Sequence, residues 1–518
     1  MVDRSPESRS FGIIFILVLC LSTGGGGAVR AAGAVSGVAI VGATLIDGNG
    51  GHPLQDATVV VTGSRIVAVG PRTEIQVPAG ARIIDGRGKF LTPGFIDTNV
   101  HLSLYSAGET FVRYEQQNVD LVLEAAQLHL KYGVTTVRDG YGSLAPLIQI
   151  RDAINRGDEL GPRILAAGNT IGWGGPYSMT FSQSPEANLT LFQEQINDFI
   201  TQGTGQDLLD MSPEELRRAV DRYLDKGPDF IKYGAAAHFE YPTMICFSPD
   251  AQRVIVEEAH RRGKLVETHA TSVESLRIAI GAGIDVLPHA EILSQIYPDD
   301  LIKMILDRKV LCSILSNAMT GDTWREHLKA RERGTAAARE ADEERRPVKA
   351  QRPKTAAELR KDRNAREASR DLNRANAEKL IRSGCVIAVS TNNYLGEAPE
   401  FRRRPKPETF EAGRGTLCAV EGLVELGMSP SQAIVAATKN GAMACGALDR
   451  YGTVEVGKTA DLLVLDADPL ADISNIRKLA IVIRDGRIVD RDRLPEKPVW
   501  YGRPDGRPPA RLNSPKTG

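Results

Sequence analysis

Short apolar segments alternate with amphipathic ones through the middle of the chain. Segments typical of buried strands are FIDTNVH (95–101), VTTVRD (134–139), RILAAG (163–168), FIKYG (230–234), LVETHA (265–270), DVLPHAE (285–291), VLCSILS (310–316) and VIAVSTNN (386–393). Helical patterns separate most of them, and SPEELRRAVDRYLDKG and SPDAQRVIVEEAHRRG both begin with Ser-Pro and end in Gly. Eight alternating units predict an α/β fold, a (β/α)8 TIM barrel over residues 91–448, with functional side chains at the carboxyl ends of its strands.

The two ends of this region have a different pattern. Residues 35–90 contain short β-rich runs separated by glycine turns, and similar runs return over residues 449–495. Because these segments enclose everything else, they predict one composite β-sandwich domain formed by both ends of the chain.

Two polar segments interrupt the scheme. Residues 324–379 are dominated by Arg, Lys, Glu and Ala, which predicts a charged helical insertion in the barrel, either a solvated helical excursion or a flexible lid. Residues 496–518 are rich in Pro, Gly and Arg, which predicts a disordered tail.

Residues 1–34 have the order of a secretory signal peptide. Arg4 and Arg9 precede the apolar run FGIIFILVLCLS, and a small-residue stretch follows. The apolar run is shorter than the roughly 20 residues that a membrane-spanning helix needs. We therefore expect an exported protein, periplasmic or extracellular, with no membrane association after the signal is removed. The five later cysteines are widely spaced and read as core thiols.

The charge balance bears on the partners. The chain has 64 basic and 65 acidic residues, so no overall field favours nucleic acid. We expect a small-molecule substrate; the oligomeric state stays open, a homo-oligomer included.

Three of the eight histidines lie at the ends of predicted strands: His101, His269 and His289. Each alone would suit a structural role, but the fold would bring all three to one mouth of the barrel. Lys232 ends the fourth strand, where a bare ammonium in the barrel interior would be costly and would need neutralising or modifying.

Other residues near the mouth are weaker candidates. Tyr233, His238 and Tyr241 follow the same strand and could contact a substrate, although packing is the alternative for each. Arg402, Arg403 and Arg404 could capture a substrate carboxylate, with solvated surface as the alternative.

The motifs PGFIDTNVHL, FIKYG, ETHA, LPHAE and STNN, with the return GTVEVGKTADLLVLDADPL, resemble the amidohydrolase superfamily. GVTTVRD and FSPDAQRVIVEEAHRRGKLVETHA most resemble its imidazolonepropionase-like and prolidase-like (Xaa-Pro dipeptidase) branch. The resemblance implies two metal sites bridged by a carbamylated lysine. It also implies a strand-8 aspartate that completes the first site and acts as the general base.

The resemblance implies that Lys232, His269 and His289 form a complete second site. In the first site His101 is present, but Asn99 stands in the place of a histidine and Asn392 in that of the aspartate. An amide offers a neutral oxygen ligand but no proton acceptor near pH 7. Asn99 therefore stays a candidate ligand and Asn392 a candidate catalytic residue, while His101 could be a fourth ligand or the proton acceptor.

One divalent ion, zinc above all, is expected, because three protein ligands and one open position can activate water; a second ion is less favoured. The expected function is hydrolysis of a C–N bond in an amide, cyclic amide or dipeptide by metal-bound hydroxide. The alternative is a non-catalytic binding protein on the same scaffold.

Overall fold

The computed structural model describes residues 37–105, 108–239, 243–333, 356–402 and 405–502. Several predictions lie outside the described residues: the signal peptide at 1–34, Tyr241, Arg403, Arg404, the middle of the charged insertion and the end of the tail.

The strands that define the architecture are numbered in chain order. They are β1 Val38–Leu45, β2 Leu54–Thr62, β3 Arg65–Pro71, β4 Arg82–Asp85, β5 Phe90–Pro93, β6 Phe95–Tyr105, β7 Val134–Asp139, β8 Arg163–Ala166, β9 Ile231–Gly234, β10 Val266–His269, β11 Val286–Leu287, β12 Leu311–Ile314, β13 Ile387–Val389, β14 Asn393–Gly396, β15 Leu462–Leu465, β16 Leu479–Arg484 and β17 Arg487–Ile488.

The helices connect these strands and cover the outside of the parallel ones. They are α1 Gly108–Tyr114, α2 Asn118–Lys131, α3 Leu144–Arg156, α4 Met179–Ser182, α5 Leu191–Thr201, α6 Pro213–Leu224, α7 Pro249–Arg261, α8 Val273–Ala282, α9 Asp299–Arg308, α10 Gly321–Arg333, α11 Ala356–Arg382, α12 Arg414–Glu425, α13 Pro430–Ala437 and α14 Lys439–Ala444.

One sheet combines strands from both ends of the chain. Its order is β17-β16-β15-β5-β1-β2-β3, and β4 pairs with β1. The junction between the two ends is the antiparallel pair β15–β5, in which Leu463 lies opposite Thr92. Alternating apolar residues such as Ile40, Val59 and Leu462 form its own small core. The two β-rich ends therefore share one eight-stranded sheet, and its strand β5 continues to Pro93, beyond the predicted boundary at residue 90.

The parallel strands form two arcs, β14-β6-β7-β8 and β13-β12-β11-β10-β9. At one seam the backbone of Ile171, just beyond β8, donates to the carbonyl of Lys232 at 2.9 Å. At the other, Asn392 N–H donates to the carbonyl of Asn99 at 2.8 Å, where the chain passes from β13 to β14. The strand positions therefore follow one another in chain order around a ring, with the ladder interrupted at these two seams.

The Ser-Pro signals set the helix starts as predicted. Ser212 accepts the N–H of Glu215 at the start of α6, and Ser248 accepts that of Ala251 at the start of α7. A proline at the first helical position has no N–H to leave unsatisfied, which makes this start favourable. The apolar faces of both helices then pack on the strands that carry the candidate site.

The charged insertion is more integrated than predicted. Its described residues form α10 and α11, and the last turns of α11 bury Asn376, Ala377 and Leu380 completely. The amide of Asn376 donates to the carbonyls of Glu291 and Gln295. The prediction of a solvated excursion is thus wrong for the carboxyl-terminal end of α11. There a few buried residues stand between charged ones in the sequence, so the average composition does not show them.

The predicted disordered tail begins too early. The backbone N–H groups of Val499, Trp500 and Tyr501 donate to the buried carboxylate of Glu124 in α2. Trp500 also packs edge-on against Tyr114, with ring centroids 5.4 Å apart. The polar composition of the tail gave no sign that residues 499–501 are ordered. The buried carboxylate of Glu124 and the packing of Trp500 hold them in place.

The five cysteines of the described ranges are free. Cys312, Cys385 and Cys445 are buried as predicted, whereas Cys246 and Cys418 are partly exposed. Among the described residues, no helix combines the length and apolar character needed to cross a membrane.

Candidate active site

Strand register brings Lys232 and His269 to neighbouring strand ends. In the parallel pair β9–β10, Lys232 lies opposite Glu267 and Gly234 opposite His269. His289 follows β11, the next strand, and has a positive φ of 42°. The three side chains are buried, with exposed fractions of 3% for Lys232, 7% for His269 and 5% for His289. The structure therefore places the three on successive strands, with His269 at the end of β10, His289 just after β11 and Lys232 two residues before the end of β9.

The two imidazoles face each other. His269 Nδ1 lies 3.2 Å from His289 Nε2. Their other nitrogens, His269 Nε2 and His289 Nδ1, are buried and have no hydrogen-bond partner among the described residues. Burial lowers the pKa of both rings well below the usual value; the charge of His289 lowers the pKa of His269 further, and the charge of Lys232 does the same for His289. Both rings are thus neutral at pH 7, the form that binds metals.

Lys232 is held between an amide and a carboxylate. Its Nζ lies 3.4 Å from Asn99 Oδ1 and 3.5 Å from Glu267 Oε1. The other carboxylate oxygen of Glu267 accepts from Arg138 Nη1 at 2.6 Å. Burial is the largest influence on Lys232 and lowers its pKa, while the charge of Glu267 opposes that shift. A lowered pKa favours the neutral amine of lysine. This neutral amine is the nucleophile that reacts with carbon dioxide to give a carbamate.

Asn99, Asn392 and His101 form a hydrogen-bonded chain. Asn99 Nδ2 donates to Asn392 Oδ1 at 3.0 Å, and the same oxygen lies 2.7 Å from His101 Nε2. His101 Nδ1 lies 3.0 Å from the carbonyl oxygen of Tyr141. Both nitrogens of His101 therefore face acceptors, but a neutral imidazole carries only one N–H.

These surroundings pull the protonation of His101 in opposite directions. Burial and the positive charge of Lys232 lower its pKa to about 3, whereas the hydrogen bonds to Asn392 and Tyr141 raise it. An imidazolium would satisfy both acceptors at once. The ring is thus neutral at rest and surrounded by groups that stabilise a proton once it arrives.

The nearby carboxylates are already engaged. Asp97 accepts from the hydroxyls of Thr391 and Thr416 at 2.8 and 2.7 Å, and burial raises its pKa to about 6. Asp139 accepts the backbone N–H groups of Leu102 and Tyr141, and burial raises its pKa to about 8. Both carboxyl groups hold strand ends, whereas the neutral ring of His101 is itself part of the hydrogen-bonded chain with Asn99 and Asn392.

Gly140 provides space that the site needs. A Cβ on this residue would lie 2.6 Å from Asn99 Oδ1, 2.9 Å from Glu267 Oε1 and 3.0 Å from Lys232 Nζ. These contacts are shorter than van der Waals distances, so only glycine fits beside all three polar atoms. Gly140 and Glu267 were missed in the sequence, although Glu267 stands two residues before His269, on the same face of β10.

An aromatic wall, formed by Tyr141, Trp173, Phe181 and His238, stands over the histidine pair. Trp173 lies edge-on to His269 with centroids 4.8 Å apart, and Tyr141 stacks on Phe181 at 5.3 Å. His238 stacks on Phe181 at 4.0 Å and is itself exposed. The hydroxyl of Tyr141 is buried without a hydrogen-bond partner in the described part of the chain. The predicted contact residue His238 therefore lies at the mouth.

Two further candidates are placed away from the mouth. The hydroxyl of Tyr233 donates to Gln252 in α7 at 2.9 Å, because its side chain leaves the strand on the face opposite to Lys232. The prediction that Tyr233 binds substrate is wrong. Arg402 donates to the carbonyl of Glu397 at 2.6 Å and packs against Trp500, so it is not a free carboxylate-binding group.

The donor set fits a metal only if Lys232 takes part. The described residues contain no cluster of three or more His, Cys, Asp or Glu side chains that could hold an ion. The 3.2 Å between His269 Nδ1 and His289 Nε2 is nevertheless suitable. Two nitrogens on one tetrahedral zinc, each at about 2.0–2.1 Å, lie about 3.3 Å apart. A carbamate on Lys232 would add the anionic oxygen, and the histidine pair supplies ligands already in position.

Comparison with known proteins matches this arrangement to one family. Residues 90–489 match the amidohydrolase family. The chain belongs to this family. The match covers the barrel and the strands β5, β15, β16 and β17 of the shared sheet, and it establishes the amidohydrolase fold, a TIM barrel with an additional domain.

Two solved structures are similar over most of the chain. That of phenylurea hydrolase B is 33% identical, with a TM-score of 0.76, and the match covers 90% of this chain and 100% of that one. That of molinate hydrolase is 30% identical, with a TM-score of 0.77, and the match covers 90% and 98%.

Curated relatives include ochratoxinase from Aspergillus niger, 24% identical over 451 residues, or 84% of this chain and 82% of the relative. An imidazolonepropionase from Alkaliphilus oremlandii is 24% identical over 474 residues, or 84% and 90%. The predicted superfamily and branch are confirmed.

Proposed function

We propose that this amidohydrolase hydrolyses a C–N bond in a small amide or urea that carries an aromatic or other apolar group, with one divalent metal ion, zinc above all. The observation that carries the proposal is the neutral pair His269–His289 beside buried Lys232, beneath an aromatic wall. Lys232 as a carbamate, His269 and His289 would hold the ion. When bound, such an ion polarises the substrate carbonyl and lowers the pKa of water.

His101 would take the proton that the water loses. Its neutral ring is ready to accept, and the resulting imidazolium would donate from Nε2 to Asn392 and from Nδ1 to the Tyr141 carbonyl. The same ring could then deliver the proton to the leaving nitrogen, as a general acid. Asn392 would position this ring, and Asn99 would position both Asn392 and Lys232. In this scheme His101 carries the proton in place of the family's aspartate, and the two asparagines position His101 and Lys232.

The aromatic wall would exclude water and hold the apolar part of the substrate. Trp173 and Phe181 offer ring surfaces, and His238 lies at the entrance. The buried hydroxyl of Tyr141, which lacks a described partner, could donate to a substrate carbonyl. A buried hydroxyl without a hydrogen-bond partner lowers the stability of the protein, so a substrate oxygen that accepts from it would recover that free energy on binding.

The relatives support this substrate class. Phenylurea hydrolase B acts, by its name, on a phenylurea, which combines an aromatic ring with C–N bonds to one carbonyl carbon. The non-catalytic alternative is not favoured, since the similar proteins are named as hydrolases. We further propose that the protein is exported, on the basis of the signal-like residues 1–34.

Metal analysis together with hydrolysis of simple phenylureas and anilides tests the proposal. We expect about one equivalent of zinc or a similar ion per chain in protein purified without chelators, and release of the aromatic amine on incubation. Lys232→Ala should lose both. Protein that binds no divalent ion under any loading condition, or that retains full activity as Lys232→Ala, would contradict the proposal.

A further inference from the structure

A cavity of about 470 Å³ lies at the end of the barrel opposite the histidine pair. Its wall includes Arg163, which opens β8, and Phe230 and Leu265, which directly precede β9 and β10. These positions mark the amino-terminal ends of the strands, so the cavity is separate from the candidate active site. Its volume is within the range of small-molecule pockets.

The wall of this cavity is strongly basic. Five cationic residues line it, namely Arg138, Arg151, Arg163, Lys264 and Arg450, against a single carboxylate, Asp229. That carboxylate is already occupied, because it accepts from Arg151 Nη1 at 2.9 Å and from the backbone of Ala166 at 2.9 Å. Arg163 is likewise paired, with Asp461 at 3.0 Å.

Two of the other three cations lack a carboxylate partner. Lys264 and Arg450 have no carboxylate partner in the described ranges, and both reach the surface, Lys264 partly exposed and Arg450 exposed. Arg138 is completely buried and donates to Glu267 at 2.6 Å, so it adds a fixed positive charge to the wall but no donor that a bound anion could reach.

Aromatic rings hold two of the guanidinium groups in place. Arg138 Cζ lies 3.8 Å from the centroid of the Phe230 ring, and Arg163 Cζ lies 4.1 Å from that of Tyr451. Stacking fixes the plane of each guanidinium, so both side chains contribute positive charge to the wall at fixed positions.

From these observations we propose that the cavity at the amino-terminal end of the barrel binds a small molecule through a phosphate or carboxylate group, with Lys264 and Arg450 as its anion ligands. The proposal does not depend on the proposed hydrolytic function. The two sites are nevertheless linked, since Arg138 donates to Glu267, whose other oxygen lies 3.5 Å from Lys232 Nζ.

Calorimetric titration of the full-length, metal-loaded protein with inorganic phosphate tests the proposal. Chloride should hold the ionic strength constant, because a nonspecific charge effect would otherwise imitate binding. We expect saturable binding of one phosphate per chain, at least tenfold weaker in Lys264→Gln and in Arg450→Gln. Arg308→Gln, which removes an exposed arginine outside the cavity, should bind as the unmodified protein does.

Each outcome decides. Phosphate can also bind a metal ion, but binding there would be unchanged in Lys264→Gln and Arg450→Gln, and equal affinity in all variants overturns the proposal. Citrate and benzoate titrations separate the two sources of charge: tighter phosphate binding indicates a phosphorylated ligand, and tighter carboxylate binding a carboxylic acid. Absence of saturable binding for all three anions also overturns it. Both test residues lie on the partly open side of the cavity without ion pairs, so the variants should fold, as circular dichroism would verify.

Discussion

The candidate site has two halves that meet their polar requirements in different ways. In the first half, Asn99, Asn392 and His101 satisfy one another in a continuous chain that ends on the Tyr141 carbonyl. In the second half, His269 Nδ1 and His289 Nε2 lie 3.2 Å apart, close to the spacing of two nitrogens on one ion. A chain of satisfied side chains is stable without a ligand, whereas two neutral imidazole nitrogens directed at each other gain from an ion placed between them. The comparison supports the proposed roles, in which the first half orients and transfers protons and the second half holds the ion.

The largest expected effect comes from removing a member of the second half. His269→Ala should lose the metal and reduce kcat/KM at least a thousandfold, because no other described side chain can replace its Nδ1. Metal content and hydrolysis of a phenylurea measure the two effects. His129→Ala is the matched control, since His129 is also buried with a pKa lowered to about 4, but bonds to Ala125 within α2. Equal metal content in His269→Ala and the unmodified protein would assign the ion to the first half.

The next effect should follow from filling the space that both halves share. Gly140→Ala places a methyl group against Asn99 and Lys232, and we expect a ten- to hundredfold loss of kcat/KM with the fold retained. Gly281→Ala is the control, because a Cβ there meets no atom within 4 Å. That helical substitution should stabilise the protein by about 0.5–1 kcal/mol. Unchanged activity in Gly140→Ala would mean that Lys232 does not need its present position.

A smaller, opposite effect is expected from restoring a carboxylate to the first half. Asn392→Asp keeps the side-chain shape at a residue with a φ of 53°, which aspartate tolerates. The new charge beside His101 Nε2 should raise the His101 pKa and increase kcat/KM about tenfold. The pH–rate profile should shift with it. An unchanged or lower rate would show that the amide is essential to the proton transfer.

The smallest effect concerns pH and stability. The folded-state pKa of His101 is about 3, below the unfolded value of 6.5, so the unfolded chain binds the extra proton between these values. Stability of the metal-free protein should therefore be complete above pH 6.5 and fall as the pH decreases towards 3. Urea unfolding at pH 7.5, 5.5 and 4.5 should show a weaker pH dependence for His101→Gln. His52→Gln, at an exposed position, should retain the original slope, and equal slopes in both variants would contradict the assignment.

The sequence predicted the histidine pair and Lys232 more completely than the residues that surround them. His269, His289 and Lys232 could be located because each ends an apolar strand, and strand ends meet at one mouth. Glu267 and Gly140 were missed, since their importance depends on which atoms lie across the barrel rather than on spacing along the chain. Tyr233 was misplaced for a related reason. Successive side chains of a strand point to opposite faces, so the residue next to Lys232 in sequence points away from the site.

Longer-range contacts limited the prediction of the fold. The sharing of one sheet by both ends could be inferred from repeated β patterns, but the burial of Asn376 and the attachment of Trp500 to α2 could not. Both segments are polar on average, and a few buried contacts decide their placement. Composition gives only the average polarity of a segment. It is therefore least informative where one carboxylate, such as that of Glu124, binds the backbone of the segment and fixes its position.

The junction of β5 with β15 has a consequence for synthesis. Residues 90–93 leave the ribosome long before residues 462–465, so the edge of β5 must wait for most of the chain to be made. At translation speeds of about 5–20 residues per second, that interval lasts about 20–75 seconds. During this time an unpaired strand edge is exposed to other nascent chains. Production at lower temperature, or with chaperones that shield strand edges, should therefore improve the yield of folded protein more than changes near the active site.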